Sequence, residues 1–232
     1  MLPGPFDPFW VVLAFVFGAV IGSFLNVVIW RVPRGESIIS PGSHCPHCDR
    51  PLQWYENIPL LSFLALRGRC RTCKGPIAPR YFWVELLTAL VIAGLIRLYG
   101  ATVDGITLCI FAAALIAAFA IDIEHYIIPD SINTVALLAG FARDFWGIAV
   151  GDPRSSLVWG WMPRSILGAV ICTAVFVGIQ AMGLTLFRRD AMGDGDLKLA
   201  RAIGAMMPLS LAIVSFLFAV GAGAVIGGAA CV

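Results

Sequence analysis

Two sets of residues in this 232-residue chain have types and spacings that suit chemistry. The first is four of the seven cysteines: Cys45-Pro-His-Cys48, then 21 residues, then Cys70-Arg-Thr-Cys73. Two CxxC knuckles so separated predict a tetrahedral zinc site, because each turn can aim two thiolates at one ion. Four thiolates close the coordination shell, so such a metal would hold a fold together and leave no open position for catalysis. Two redox-active CxxC pairs, or a loop without metal, are the alternatives. His44 and His47 are conceivable substitutes for a cysteine, but the four thiols do not need them. Arg69, Arg71 and Lys74 stand beside the second knuckle and favour thiolates.

The second set is acidic. One segment reads Asp122-Ile123-Glu124-His125 and continues to Pro129-Asp130; another reads Gly193-Asp194-Gly195-Asp196-Leu197-Lys198. Two aspartates brought together can share a proton, one acting as base toward water and the other as acid toward a carbonyl, and so hydrolyse a peptide without metal or nucleophilic side chain. Each acid also has a plainer use. Asp130 and Asp196 can cap helices, Asp194 can solvate a turn between glycines, and Glu124 and His125 can be interfacial polar groups. A pair of acids can equally line an ion path.

The elements that must position these residues are membrane helices. The chain is 59% hydrophobic and 13% charged, with a mean hydropathy of +0.89, whereas soluble domains carry about 25% charge. That composition excludes an ordinary cytosolic enzyme and a disordered chain, and the net charge of +2 gives no case for nucleic-acid binding. Phe9 to Trp30, Gly105 to Ile121, Ser165 to Phe187 and Ala202 to Val232 are free of charge. Weaker runs span Tyr81 to Ile96, broken by Glu85, and Ser131 to Val150, broken by Arg143 and Asp144. The prediction is an all-α polytopic protein of about six transmembrane helices. Pro208 should divide the last run into a short helix near 198–207 and a span beyond it. No basic residue precedes Phe9, so the first run reads as a span, not a cleaved signal. Cys109, Cys172 and Cys231 fall in spans as small buried groups.

Basic residues orient the bundle. Arg31, Arg34, Arg50, Arg67, Arg69, Arg71, Lys74, Arg80, Arg188, Arg189, Lys198 and Arg201 collect on one side, against Arg97, Arg143, Arg154 and Arg164 on the other. The N-terminus is therefore expected outside, and the cysteine loop in the cytoplasm, where thiols stay reduced. The loop 122–130 shares that side yet has no Lys or Arg.

These residues resemble a known family. Gly193-Asp194-Gly195-Asp196 fits the GxGD signature of membrane aspartyl proteases, and Leu197-Lys198-Leu199 continues it as in type IV prepilin peptidases. Asp122 through Pro129-Asp130 looks like their other aspartate motif. Gly22-Ser23-Phe24-Leu25-Asn26 with Arg31 and Pro33, Trp54-Tyr55-Glu56-Asn57-Ile58-Pro59, and Arg80-Tyr81-Phe82 leading to Glu85 are similar too. The ordered set runs from about Phe15 to Met206. The resemblance implies a bacterial inner-membrane enzyme that removes the basic leader from prepilins and pseudopilins at the cytoplasmic face. Asp122 and Asp196 match the catalytic aspartates. The paired CxxC matches bifunctional members that also methylate the new N-terminal residue with S-adenosylmethionine. The division expected is a first span over 9–30, a zinc loop over 31–80 associated with methyl transfer, and an aspartyl peptidase domain over 81–232. That domain looks shortened, since family members usually continue with a further helix.

No Gly-rich fingerprint locates the methyl donor. Gly18-x3-Gly22-x3-Asn26 lies on one helix face and could line its site, although close helix packing explains the glycines as well. Glu56, Asn57 and Glu85 are further polar candidates. A peptidase-only or inactive relative, and a zinc-stabilised transporter or assembly protein, remain as other readings. A transporter would be expected to repeat itself internally, and the two halves show no repeat.

Overall fold

The computed structural model describes residues 8–152, 155, 157–187 and 193–218. Arg154, Arg188, Arg189, Cys231 and the end of the last apolar run lie outside the described residues. The chain forms two compact units, Met1–Ile132 and Asn133–Val232.

The first unit is built on three long helices: α1 (Pro8–Arg31), α3 (Arg80–Tyr99) and α4 (Val103–His125). Each is long and apolar enough to cross a membrane. Small residues carry the packing. Ala14, Gly18, Ala19 and Gly22 of α1 are buried, while Val12, Phe17 and Phe24 point away from the protein. Inverted packing of this kind suits a lipid surround, where close backbone approach replaces the hydrophobic effect as the force between helices. A Cβ on Gly18 would stand 2.8 Å from Ala89 Cα, and one on Gly22 would stand 2.7 Å from Glu85 Cα. The glycines therefore bring α1 onto α3, which is the packing role. Thr102 caps α4, its hydroxyl accepting from Gly105 N–H at 3.1 Å.

Glu85 does not break α3, and α4 runs past the expected end at Ile121 to His125. Asp122 and Glu124 are therefore helical residues, and the connection to the next helix is short. Tyr126 ends α4 in the left-handed region at φ 55°, its N–H on the Asp122 carbonyl. The cysteine loop holds only short helical pieces, Val32–Arg34, Trp54–Asn57 and α2 (Leu61–Ala65).

The helix α5 (Asp130–Val150) starts within the first unit and continues into the second. The second unit adds a two-residue hairpin (β1 Leu157–Val158, β2 Met162–Pro163), then α6 (Arg164–Phe187), α7 (Asp194–Met206) and the apolar helix α8 (Leu209–Phe218). Among these only α6 meets the length and hydropathy of a span by itself. The charges that weaken α5 have partners in the same unit. Asp144, buried, accepts Ser165 N–H at 2.8 Å at the start of α6, and Arg143 donates to the Met206 carbonyl at 3.1 Å. Pro208 separates α7 from α8 as expected. The start of α7 differs: Gly193 is the N-cap, so Asp194 and Asp196 occupy the first turn and Asp196 does not cap. Two glycines seat α7 on α6, since a Cβ on Gly168 would lie 2.0 Å from Gly204 O. Cys172 is buried beside Gly204, and Cys109 is buried in α4, so both serve as small apolar residues.

Candidate functional site

The four loop cysteines converge. One sulfur from each lies within 4.8 Å of all the others, and Cys45 Sγ and Cys73 Sγ are 3.8 Å apart. A tetrahedron with metal–sulfur bonds of about 2.3 Å has sulfur–sulfur edges of about 3.8 Å. The separation is far too long for a disulfide. Cys45 and Cys70 are buried and Cys48 and Cys73 exposed, so each knuckle offers one inner and one outer thiol.

Local backbone geometry repeats between the knuckles. Cys45 N–H donates to Arg50 O at 2.9 Å and Cys70 N–H to Gly75 O at 2.8 Å. Asp49 N–H returns to Cys45 O, and Lys74 N–H to Cys70 O. Asp49 and Lys74 both take left-handed conformations, at φ 52° and 60°. The two turns are one device used twice at an offset of 25 residues. The sequence carries its signal, C-x2-C-x2-P at Cys45/Cys48/Pro51 and again at Cys70/Cys73/Pro76, and reading the cysteines alone misses it.

The electrostatics of the cluster favour a cation. Backbone N–H groups of Cys73 and Thr72 bring the Cys70 thiol down to about 6. The Arg50 backbone lowers Cys48 in the same way, but desolvation and the crowding sulfurs of Cys45 and Cys73 outweigh it and push that thiol up to about 11. One sulfur thus ionises easily and another resists, because bare thiolates cannot crowd together. A divalent ion removes that conflict. The histidines are engaged elsewhere: His44 Nδ1 is 3.2 Å from Gly42 O and His47 Nε2 is 3.3 Å from Pro76 O.

Glu56 braces the loop. Its carboxylate accepts two bonds from Arg50, at 2.7 and 3.0 Å, and Gln53 N–H at 2.8 Å. The Arg50 guanidinium beside it, then the Gln53 N–H, hold its carboxyl below the usual range. Glu85 ties the loop to α3 by accepting Leu60 N–H at 2.7 Å. Leu60 sits at φ 61°, a conformation costly for a branched side chain and sustained only where its surroundings enforce it.

The aspartates stand at helix ends. Asp122 is exposed in the last turn of α4, in the first unit. Asp194 and Asp196 are exposed in the first turn of α7, in the second unit, where free N–H groups and the helix dipole favour negative charge. Asp130 lies in the first turn of α5. Glu124 pairs with Arg80, joining the end of α4 to the start of α3.

Residues 109–228 match the family model described as the type IV leader peptidase family, and residues 16–99 match the bacterial peptidase A24 N-terminal domain. The chain belongs to the type IV leader peptidase family. The matched region of the peptidase model contains Asp122, Asp130, Asp194 and Asp196, and that of the N-terminal model contains the four cysteines. A prepilin leader peptidase/N-methyltransferase of Myxococcus xanthus is 41% identical over 97% of this chain and 64% of its own length. A type 4 prepilin-like proteins leader peptide-processing enzyme of Escherichia coli O78:H11 is 36% identical over 89% of this chain and 80% of its own. A prepilin leader peptidase/N-methyltransferase of Burkholderia pseudomallei is 32% identical over 92% and 74%. The chain thus spans just under two thirds of the M. xanthus relative. No solved structure matches it.

Proposed function

We propose that this protein cleaves the basic leader from type IV prepilins and pseudopilins and methylates the amine that cleavage exposes. What carries the reading is the family match across both aspartate motifs, together with relatives named for the two activities.

In the mechanism proposed, Asp122 and Asp196 are the catalytic pair, held at the ends of α4 and α7. One carboxylate takes a proton from water as it attacks the scissile carbonyl. The other, protonated, donates to the carbonyl oxygen, and the roles reverse as the amine leaves. A prepilin has a basic leader in the cytoplasm and an apolar helix in the bilayer, so its scissile bond lies at the cytoplasmic membrane face. The distribution of Arg and Lys supports that orientation, with the N-terminus periplasmic and the multi-pass chain in the bacterial inner membrane.

Zinc fits the four thiols by donor set and spacing, with Cys45, Cys48, Cys70 and Cys73 as ligands. Its role is structural, since the ligand set closes the coordination shell. S-adenosylmethionine, when bound, supplies an electrophilic methyl group to the new N-terminal amine. The loop 31–80 serves methyl transfer and 81–232 serves cleavage. The test is incubation of purified protein with a prepilin and S-adenosylmethionine, followed by mass analysis. Loss of the leader and a gain of one methyl are expected; an intact prepilin in the presence of folded protein would refute the peptidase reading.

A further inference from the structure

The first unit contains a cavity of about 810 Å³ walled by α1, α3 and the cysteine loop. Ser23 and Asn26 of α1, Glu85 of α3, and Cys45 and Cys70 of the loop all reach it. That volume suits a ligand the size of a nucleoside joined to an amino acid.

The charges around the cavity are unevenly answered. Arg31 donates to the carbonyls of Ser37 and Pro41 at 3.0 and 2.6 Å. Arg71 donates to the Tyr55 hydroxyl at 2.5 Å, and Arg80 is paired with Glu124. Each of these cations has a protein partner, although the buried Nε of Arg80 has none. Glu85 is only 8% exposed, and among the described residues no ion pair reaches it. Its carboxylate holds the Leu60 N–H and a Ser23 hydrogen bond, which leaves lone pairs free. Asn26 is 2% exposed; its Nδ2 donates to Tyr81 O at 3.0 Å, while Oδ1 has no partner.

A buried carboxylate and a buried amide oxygen at one cavity, with no ion pair to a cation among the described residues, define a site for a cation bearing N–H donors. Trp30, Phe63 and Tyr81 add aromatic surface to the same wall, which suits a flat ring. A lipid tail would leave the carboxylate unanswered. S-adenosylmethionine combines a sulfonium, an ammonium and a purine with a single carboxylate, so that it is a net cation, in one molecule of fitting size. The geometry points to this cavity as its binding site, with the ammonium answered by Glu85 and Asn26; the assignment rests on the methyl-transfer reading above. It also gives the cysteine cluster a task, because Cys45 and Cys70 form part of the cavity wall and a metal there would fix it.

Equilibrium dialysis of the full chain with methyl-tritiated S-adenosylmethionine tests the assignment. Glu85→Gln keeps the shape and the Leu60 bond but removes the charge, so Kd should rise about 10- to 100-fold. Retained zinc content and an unchanged elution volume establish that the variant is folded. If it is not, ultraviolet cross-linking of the bound ligand to the unsubstituted protein decides. Label on peptides within 20–85 is the expected result. Label confined to 133–218, or a folded Glu85→Gln chain with unchanged Kd, overturns the cavity while leaving methyl transfer standing. Unsubstituted protein that neither binds the ligand nor methylates a precleaved pilin overturns the methyl-transfer reading itself.

Discussion

Replacing Cys70 by serine should release the loop from its metal. Cys70 is a buried inner thiol whose ionisation is favoured by two backbone N–H groups, so it is the ready anion of the cluster. A structural zinc site contributes roughly 10–16 kcal/mol of apparent binding energy. One ligand in four then accounts for about 2.5–4 kcal/mol, which corresponds to about a 10²- to 10³-fold loss of zinc affinity. Between Arg31 and Arg80 the loop has only short helical pieces, the longest of five residues, so little else can hold it once the ion leaves. The cavity wall formed by Cys45 and Cys70 should lose its shape with it. Zinc per chain by elemental analysis, chelator competition for affinity, and separate assays of methylation and cleavage read the outcome. About one zinc per unsubstituted chain is expected, with methylation lost in Cys70→Ser and cleavage less affected, because Asp122 and Asp196 lie on helices outside the loop. A freshly purified protein without zinc would refute the metal. Equal loss of both activities would leave the metal and refute the division of labour.

Asp122→Asn and Asp196→Asn should each abolish cleavage, and the double variant should be no worse than either single, since a shared proton is lost once; leader removal at a near-normal rate by folded Asp122→Asn would break the pairing. Asp130→Asn and Asp194→Asn should keep substantial activity, because asparagine serves helix starts and turns as well as aspartate does. Gly204→Ala places a Cβ 2.4 Å from Gly168 O and 2.7 Å from Cys172 Sγ, so α7 must move off α6 at a cost of about 1–3 kcal/mol; an unchanged thermal midpoint and cleavage rate would contradict this. Glu56→Gln removes the charge from three hydrogen bonds and should destabilise the loop by about 1.5–3 kcal/mol. Since Arg50 holds the folded carboxyl below its ordinary value of 4.5, the advantage of Glu56 should be full above that pH and fade as pH falls through the lower folded value. A difference in melting between the two proteins that instead closes from pH 7 to 5 would point to another group.

Sequence alone determined what depends on local chemistry. The length of uncharged runs marks helices that lipid can surround, and Pro208 must interrupt the last one. The CxxC spacing implied four converging thiols, which the fold brings within 4.8 Å. The two aspartate motifs were legible as residue types, and the family match spans both. Helix ends were less legible, because they turn on backbone hydrogen bonds and not on side-chain hydropathy: α4 keeps Asp122 and Glu124 helical until Tyr126 turns left-handed, and α7 begins at Asp194 with Gly193 as its cap. The glycines of α1 admitted two roles on paper. Only the approach of α3, to 2.8 and 2.7 Å of where a Cβ would sit, decided for packing. The same approach buries Asn26 and Glu85, residues distant in sequence, at one cavity beneath the cysteine loop. Polar residues in apolar helices can be seen in the sequence one at a time. Whether they meet depends on which helix faces touch, and that is a property of the packed chain.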